Sequence, residues 1–260
     1  MRCAAGPMPP EAMAGGVLKD AGAASHALKQ LLARTEVTEQ RAFVAVSDAL
    51  ATFRILHLPK TATEQDVVGA VAREMPLDPE RIVTRWVDLA SANERRIVYA
   101  AAWDRGNLKV MTDAVRSIGV EPVVVELKSA AVARAVAEPS CVVVDLASDP
   151  AEIVLVDGYV PQVWHSVAVQ PGGMDDLTTA LSPALRSVLR FYRRRHDIEF
   201  SPTSPVFISG EQVFTEDQLR KLAFDVGQPV APLPTPSRVP PHVRLPIYLT
   251  CLGLIMRRSA

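Results

Sequence analysis

Cys141-Val-Val-Val-Asp145-Leu-Ala147-Ser-Asp149-Pro150, then Ala151-Glu-Ile-Val-Leu-Val-Asp157-Gly158, is the stretch on which the reading of this chain turns. Its first five residues form an apolar run closed by a carboxylate, the pattern of a strand buried on both faces. Residues 151–157 and 159–169 then read as a hairpin, with Asp157-Gly158 matching the residue preference of a type I′ turn. A strand-end carboxylate before a small-residue turn can hold magnesium-bound phosphate, because turn N–H groups bind anions. A plain acidic turn after a buried strand accounts for the same residues without a ligand.

Downstream, residues 184–195 predict a helix with Leu185, Val188, Leu189 and Tyr192 on one face. A strand at 206–209 and a helix carrying Leu219, Leu222, Ala223 and Val226 follow. Residues 229–246 hold seven prolines and predict irregular chain. The last apolar segment, 248–256, predicts a buried helix followed by Arg257-Arg258. Upstream, 1–16 reads as irregular and 17–34 as helix, with strands at 43–46 and 52–58. Thr63 caps a helix containing Val67, Val68 and Val71 that stops before Pro76. Strands at 82–88 and 96–103 come next, and alternation sets Thr84, Trp86 and Asp88 opposite Val83, Val87 and Leu89. An amphipathic helix (Leu108, Met111, Val115, Ile118) ending at Gly119, a strand at 123–125 and a helix at 128–136 complete the first half. Strands alternate with helices throughout, so the class is α/β or mixed α+β in two lobes.

Composition excludes several functions. The chain has 260 residues, 48% hydrophobic and 22% charged, with 28 basic against 29 acidic side chains. That is too apolar for wholesale disorder and too balanced for a whole-protein field that grips nucleic acid. No uncharged apolar stretch reaches the roughly 18–20 residues of a spanning helix, and residues 1–16 lack the apolar core of a secretory signal. Cys3, Cys141 and Cys251 lie far apart, predicting no disulfide framework and fitting a reducing cytoplasm. The five histidines never meet Cys, Asp or Glu at ligand spacing, and no P-loop, G-x-S-x-G or G-x-G-x-x-G occurs. No catalytic residue and no metal ligand is assigned.

Three further features stand out. Ser209-Gly210-Glu211 is a strand end whose small residues would let an adenosine approach, or a simple strand-to-helix loop; Glu211 and Gln212 stand where further glycines would help. Arg186, Arg190, Arg193, Arg194 and Arg195 crowd one helix, as a solvated face or a site for acidic protein or lipid headgroups. Trp86, beside Arg85, is half-buried scaffold or a partner anchor.

Taken in order, the motifs resemble the PilM family, the FtsA/actin-like proteins of type IV pilus assembly, from about residue 17 to 258. Phe43-Val-Ala-Val-Ser47 and Ile55-Leu-His-Leu-Pro59 match the family's valine-rich strand and its strand end. Arg81-Ile82 to Leu89 with Ile97-Val-Tyr-Ala-Ala101 resembles the paired strands of its inserted 1C subdomain. Ile118-Gly-Val-Glu-Pro122, Val143-Val-Asp145, Gly172-Gly173, Leu189-Arg-Phe-Tyr192, Ile208-Ser-Gly210 and Leu252-Gly-Leu-Ile-Met-Arg257 follow in the family's order. The resemblance implies a two-lobed actin-like (ribonuclease H-like) fold. Lobe I would span 1–138 with a 1C-like insertion over about 48–103, and lobe II 139–245. Residues 246–260 would form a helix returning to lobe I.

The departures fall on nucleotide-binding parts. No D-x-G-[ST] loop precedes the first helix, and the second phosphate loop reads Asp145-Leu-Ala147-Ser148-Asp149. Ala147 narrows the backbone there, and Asp149 puts negative charge where phosphate would sit. The adenosine loop reads Ser209-Gly210-Glu211-Gln212, and about ten residues between Gly173 and Ala184 leave no room for a full 2B subdomain. The expectation is a scaffold with vestigial loops at Asp145, Ala147, Ser148 and Ser209, Gly210, Glu211, with weak or absent ATP binding, little or no ATPase activity, and no cofactor, ATP and Mg not being expected. By resemblance it would bind the cytoplasmic N-terminal peptide of a PilN-like inner-membrane protein, and other pilus assembly proteins besides, in a groove between subdomains 1A and 1C near Arg85 and Trp86. It would be cytoplasmic, held at the inner membrane through that partner without inserting, and would bind no nucleic acid; oligomerisation is left open. The alternatives are a working ATPase whose first loop is absent from this chain, and an adaptor of a type II secretion or cell-division complex.

Overall fold

The structure, a computed structural model, describes residues 3–35, 37–75, 78, 80–92, 95–147, 150–168, 174–236, 239–240 and 242–257. The chain divides between Val125 and Glu126 into two compact units, ahead of the boundary expected at residue 138.

The first unit opens with strands β1 (Met13–Ala14) and β2 (Val17–Leu18), helix α1 (Ala21–Thr35) and strand β3 (Arg41–Val46). The helix expected from residue 17 starts four residues later, because Gly15 and Gly16, both at positive φ, fold β2 back onto β1. Strand β4 (Ala51–Pro59), helix α2 (Glu64–Glu74), strands β5 (Ile82–Ala92) and β6 (Arg95–Asp104), helix α3 (Arg105–Arg116) and strand β7 (Glu121–Leu127) follow. Thr63 caps α2 as read: its hydroxyl accepts from Asp66 N while Asp66 accepts from Thr63 N, a capping box that contributes about 1 kcal/mol. Strands β4-β6-β5 form an antiparallel sheet, and β3 pairs with β7. The even-numbered face of the three-stranded sheet (Leu56, Val98, Ala100, Ala102) packs on Val67, Ala70 and Val71 of α2.

The second unit runs α4 (Lys128–Val136), β8 (Ser140–Asp145), β9 (Ala151–Asp157), β10 (Val160–Val167), α5 (Met174–His196), β11 (Val206–Ser209), α6 (Glu216–Val226), β12 (Val230–Ala231) and α7 (Leu245–Ile255). One sheet, ordered β10-β9-β8-β11-β12, has β8 at its centre, antiparallel to β9 and parallel to β11. The apolar run of β8 is therefore covered twice. Val142 and Val144 face Leu181, Leu185 and Val188 of α5 together with Leu222 of α6. Cys141 and Val143 face Val132 and Val136 of α4 together with Leu249 and Leu252 of α7. All four β8 residues are fully buried, each valine contributing about 1.5–3 kcal/mol.

Two expectations need correction here. Residues 174–183 are helix, so α5 runs through Pro183 and starts ten residues ahead of the expected 184. The buried stripe Leu177, Leu181, Leu185, Val188 and Tyr192 is continuous across the proline, and its packing outweighs the roughly 3 kcal/mol proline cost. The β9–β10 turn is Gly158-Tyr159, both at positive φ, one residue later than Asp157-Gly158. Helix α7 packs on α4, residues 128–136, which fall within the 1–138 span expected for lobe I. Gly253 makes this close approach geometrically allowed, since a Cβ there would overlap the Ala131 carbonyl.

Candidate functional site

Parallel pairing of β8 with β11 places Asp145 beside Ser209, and antiparallel pairing of β8 with β9 places Asp145 opposite Glu152. Two carboxylates face each other on the α4 side of the sheet, a destabilising pair unless a cation joins them. Lys128, the first residue of α4, supplies it: its Nζ lies 2.5 Å from Asp145 Oδ2 and 2.7 Å from Glu152 Oε2. The side chains are 15%, 6% and 7% exposed for Lys128, Asp145 and Glu152. Burial alone would push the Lys128 ammonium down, but the Asp145 and Glu152 charges outweigh it and raise it above its ordinary 10.5. A lysine at a helix N-terminus also opposes the helix dipole, so the carboxylates hold it there.

The other Asp145 oxygen, Oδ1, accepts from Ser209 Oγ at 2.8 Å and from Ala147 N at 2.9 Å. The two vestigial loops are stitched together as well. Leu146 N donates to Ser209 O at 2.9 Å, and Gly210 N donates to Pro246 O at 3.0 Å. Gly210 sits at φ +118°, and a Cβ there would fall 2.9 Å from Leu146 Cβ. Its glycine thus serves loop-to-loop packing. Glu211 is exposed and lies 3.9 Å from Arg244. Ser148, Asp149, Gly172, Gly173 and Arg258 lie outside the described residues.

These residues do not fit a magnesium–nucleotide site. An octahedral cation needs carboxylate lone pairs and space for several waters, yet Asp145 is engaged on both oxygens and an ammonium stands where the cation would bind. Among the described residues no group of three or more His, Cys, Asp and Glu side chains could hold a metal ion. Sequence reasoning found Asp145 and Ser209 and missed Lys128 and Glu152. Their signals were a glutamate inside the otherwise apolar strand Ala151-Glu-Ile-Val, and a lysine opening a helix with no acid in its first turn.

Arg85 and Trp86 are separated rather than brought together. Trp86, paired with Ala100, is part of the α2-facing side and packs against that core. Arg85 points to the other face, exposed, with its guanidinium donating to Thr84 O at 2.8 Å. Adjacent strand residues alternate sides, so one ligand on one face cannot touch both. The Arg85 face also carries Val87, 55% exposed, and the stacked rings of Phe53 and Tyr99 at 5.6 Å.

Over 97% of this chain and 90% of the other, the structure matches a chain of the PilM-PilN type IV pilus biogenesis complex with TM-score 0.75 at 20% identity. The fold is PilM-type and actin-like. The cytoplasmic domain of EpsL, an inner-membrane component of the type II secretion system of Vibrio cholerae, matches over 91% of this chain and 82% of its own with TM-score 0.55 at 13% identity. No protein-family model matches the sequence. No curated protein matches it. Among the described residues no helix is long and apolar enough to cross a membrane.

Proposed function

We propose that the chain is a PilM-like adaptor of a type IV pilus assembly machine that neither binds nor hydrolyses ATP. The observation carrying the second half is Lys128, whose ammonium neutralises the two carboxylates from which a cation site would have to be built. The first half is supported by the PilM-type fold over nearly the whole chain. The partner is the cytoplasmic N-terminal peptide of a PilN-like inner-membrane protein, which holds this chain at the membrane from the cytoplasmic side. Residues 2–125 and 126–260 serve as the two actin-like lobes, with about 48–103 as the 1C-like insertion. The peptide docks in the first unit along the β4-β6-β5 face that presents Arg85, Val87 and Phe53, while Trp86 supports that sheet from behind.

Titrating the peptide into the chain tests this: Arg85→Glu with Val87→Asp weakens binding at least about tenfold, roughly 1.4 kcal/mol. Unchanged affinity would remove the docking face. Thermal unfolding with and without Mg-ATP tests the other half, because a ligand bound by the native state raises the midpoint by mass action. A saturable upward shift would restore the working-ATPase reading. A second reading, an adaptor of a type II secretion complex, is supported by the EpsL likeness and predicts preference for a peptide from that machine.

A further inference from the structure

Between Arg186 and Arg195 helix α5 carries five arginines within ten residues, in a chain whose formal net charge is −1. The buried side of this segment is Leu185, Val188 and Tyr192. At about 3.6 residues per turn, Arg186, Arg190, Arg193 and Arg194 fall on the opposite side, and all four are exposed. Arg186 donates to the Asp225 carbonyl at 2.9 Å, and Arg193 pairs with Glu199 at 2.7 Å with both side chains mostly in water. Among the described residues Arg190 and Arg194 make no ion pair. Phe191 stands at the edge of the arc, 52% exposed, and Ile198 follows the helix end, 56% exposed.

Three properties of this surface select its occupant. Arg186, Arg190 and Arg194, about one turn apart, span about 12 Å along the outer side of the helix. Arginine offers a planar fork of donors that matches phosphate oxygens and is weakly hydrated. An exposed aromatic flanking a basic row is the side-chain pattern of elements that lie on anionic bilayers, where apolar groups enter the acyl boundary while the cations meet headgroups. The helix is also pre-formed: the buried side chains of α5 fix the row against the sheet, so little ordering is required on contact.

We propose that the arginine arc of α5 with Phe191 is a docking face for an anionic lipid surface, apart from any partner peptide. The proposal is independent of the peptide site in residues 2–125, and the assay contains no peptide, so either can fail alone. The intact chain is sedimented with phosphatidylcholine vesicles with and without phosphatidylglycerol. It partitions onto the anionic vesicles and not the neutral ones, and added salt releases it. Each arginine removed is expected to weaken partitioning about fivefold, so Arg190→Gln with Arg194→Gln weakens it roughly thirtyfold. Both positions are exposed, so the urea midpoint of the double variant stays at the wild-type value, which separates lost binding from lost folding. Phe191→Ser weakens partitioning with little change in its salt dependence. Equal partitioning onto both vesicle types, no partitioning, or an undiminished double variant would overturn the proposal. So would binding of soluble duplex DNA or polyglutamate by the same arginines without vesicle binding, which would assign the face to nucleic acid or to acidic protein.

Discussion

Replacing Lys128 by methionine is the most informative single perturbation. The change keeps the length of the side chain and removes the charge. Asp145 and Glu152 then face each other across β8 and β9, both under a tenth exposed, without the ammonium that lay 2.5 and 2.7 Å from them. Removing one partner of a buried ion pair costs about 3–5 kcal/mol. With two carboxylates stranded instead of one, the upper part of that range applies, about 4–5 kcal/mol. This is a large share of the roughly 5–15 kcal/mol that holds a domain folded. The midpoint of thermal unfolding should fall by roughly 8–20 °C, and urea denaturation gives the free energy directly. The triple variant Lys128→Met, Asp145→Asn, Glu152→Gln retains the shapes without the charges and should recover most of the loss. A Lys128→Met chain within about 1 kcal/mol of wild type would refute the reasoning. So would a triple variant as unstable as the single one.

Other outcomes follow from the same structure. Burial pushes the Cys141 thiol up to about 12 from 9.0, Tyr192 is raised above 10.0 by burial and by Asp157, and Lys128 is raised above 10.5. In each case the folded chain keeps a proton the unfolded chain has lost, so stability declines as pH rises from about 9. Urea midpoints across that window should fall, and a flat profile would contradict the assignment. Gly253→Ala drives a methyl into the Ala131 carbonyl and forces α7 off α4, costing about 3 kcal/mol or more in chemical denaturation. Tyr159→Gly relieves a non-glycine residue held at φ 64° in the exposed β9–β10 turn and should gain roughly 0.5–1 kcal/mol. Thr63→Ala removes the α2 capping box and should lose about 1 kcal/mol, read from the same melts.

Much of the fold was legible where local chemistry and packing agree. β8 could be read because a strand buried on both faces has no polar alternation to disguise it, and α2 because Thr63 and Asp66 form their cap within four residues. Where distant packing decides, the reading failed. The helix read from 184 begins at 174, because the leucines on either side of Pro183 share one buried stripe, a fact visible only once the sheet beneath is placed. The turn at Gly158-Tyr159 slid by one residue because the β9–β10 register assigned the left-handed positions, and no tyrosine advertises that conformation. At the candidate site Asp145 and Ser209 were evident as strand ends. Lys128 and Glu152 belong to other elements: strand register sets Glu152 opposite Asp145, and the packing of α4 on the sheet brings Lys128 to both. Arg85 and Trp86 looked like one anchor in sequence, yet strand alternation assigns them to opposite faces.

The ion network across α4, β8 and β9 also constrains how this sequence can drift. Exchanging Lys128 first strands two acids, while neutralising one acid first leaves a lysine that still has a counter-ion. Tolerated substitutions should therefore begin with one acid, the lysine changing before or together with the second, and positions 128, 145 and 152 should vary among descendants as a correlated set.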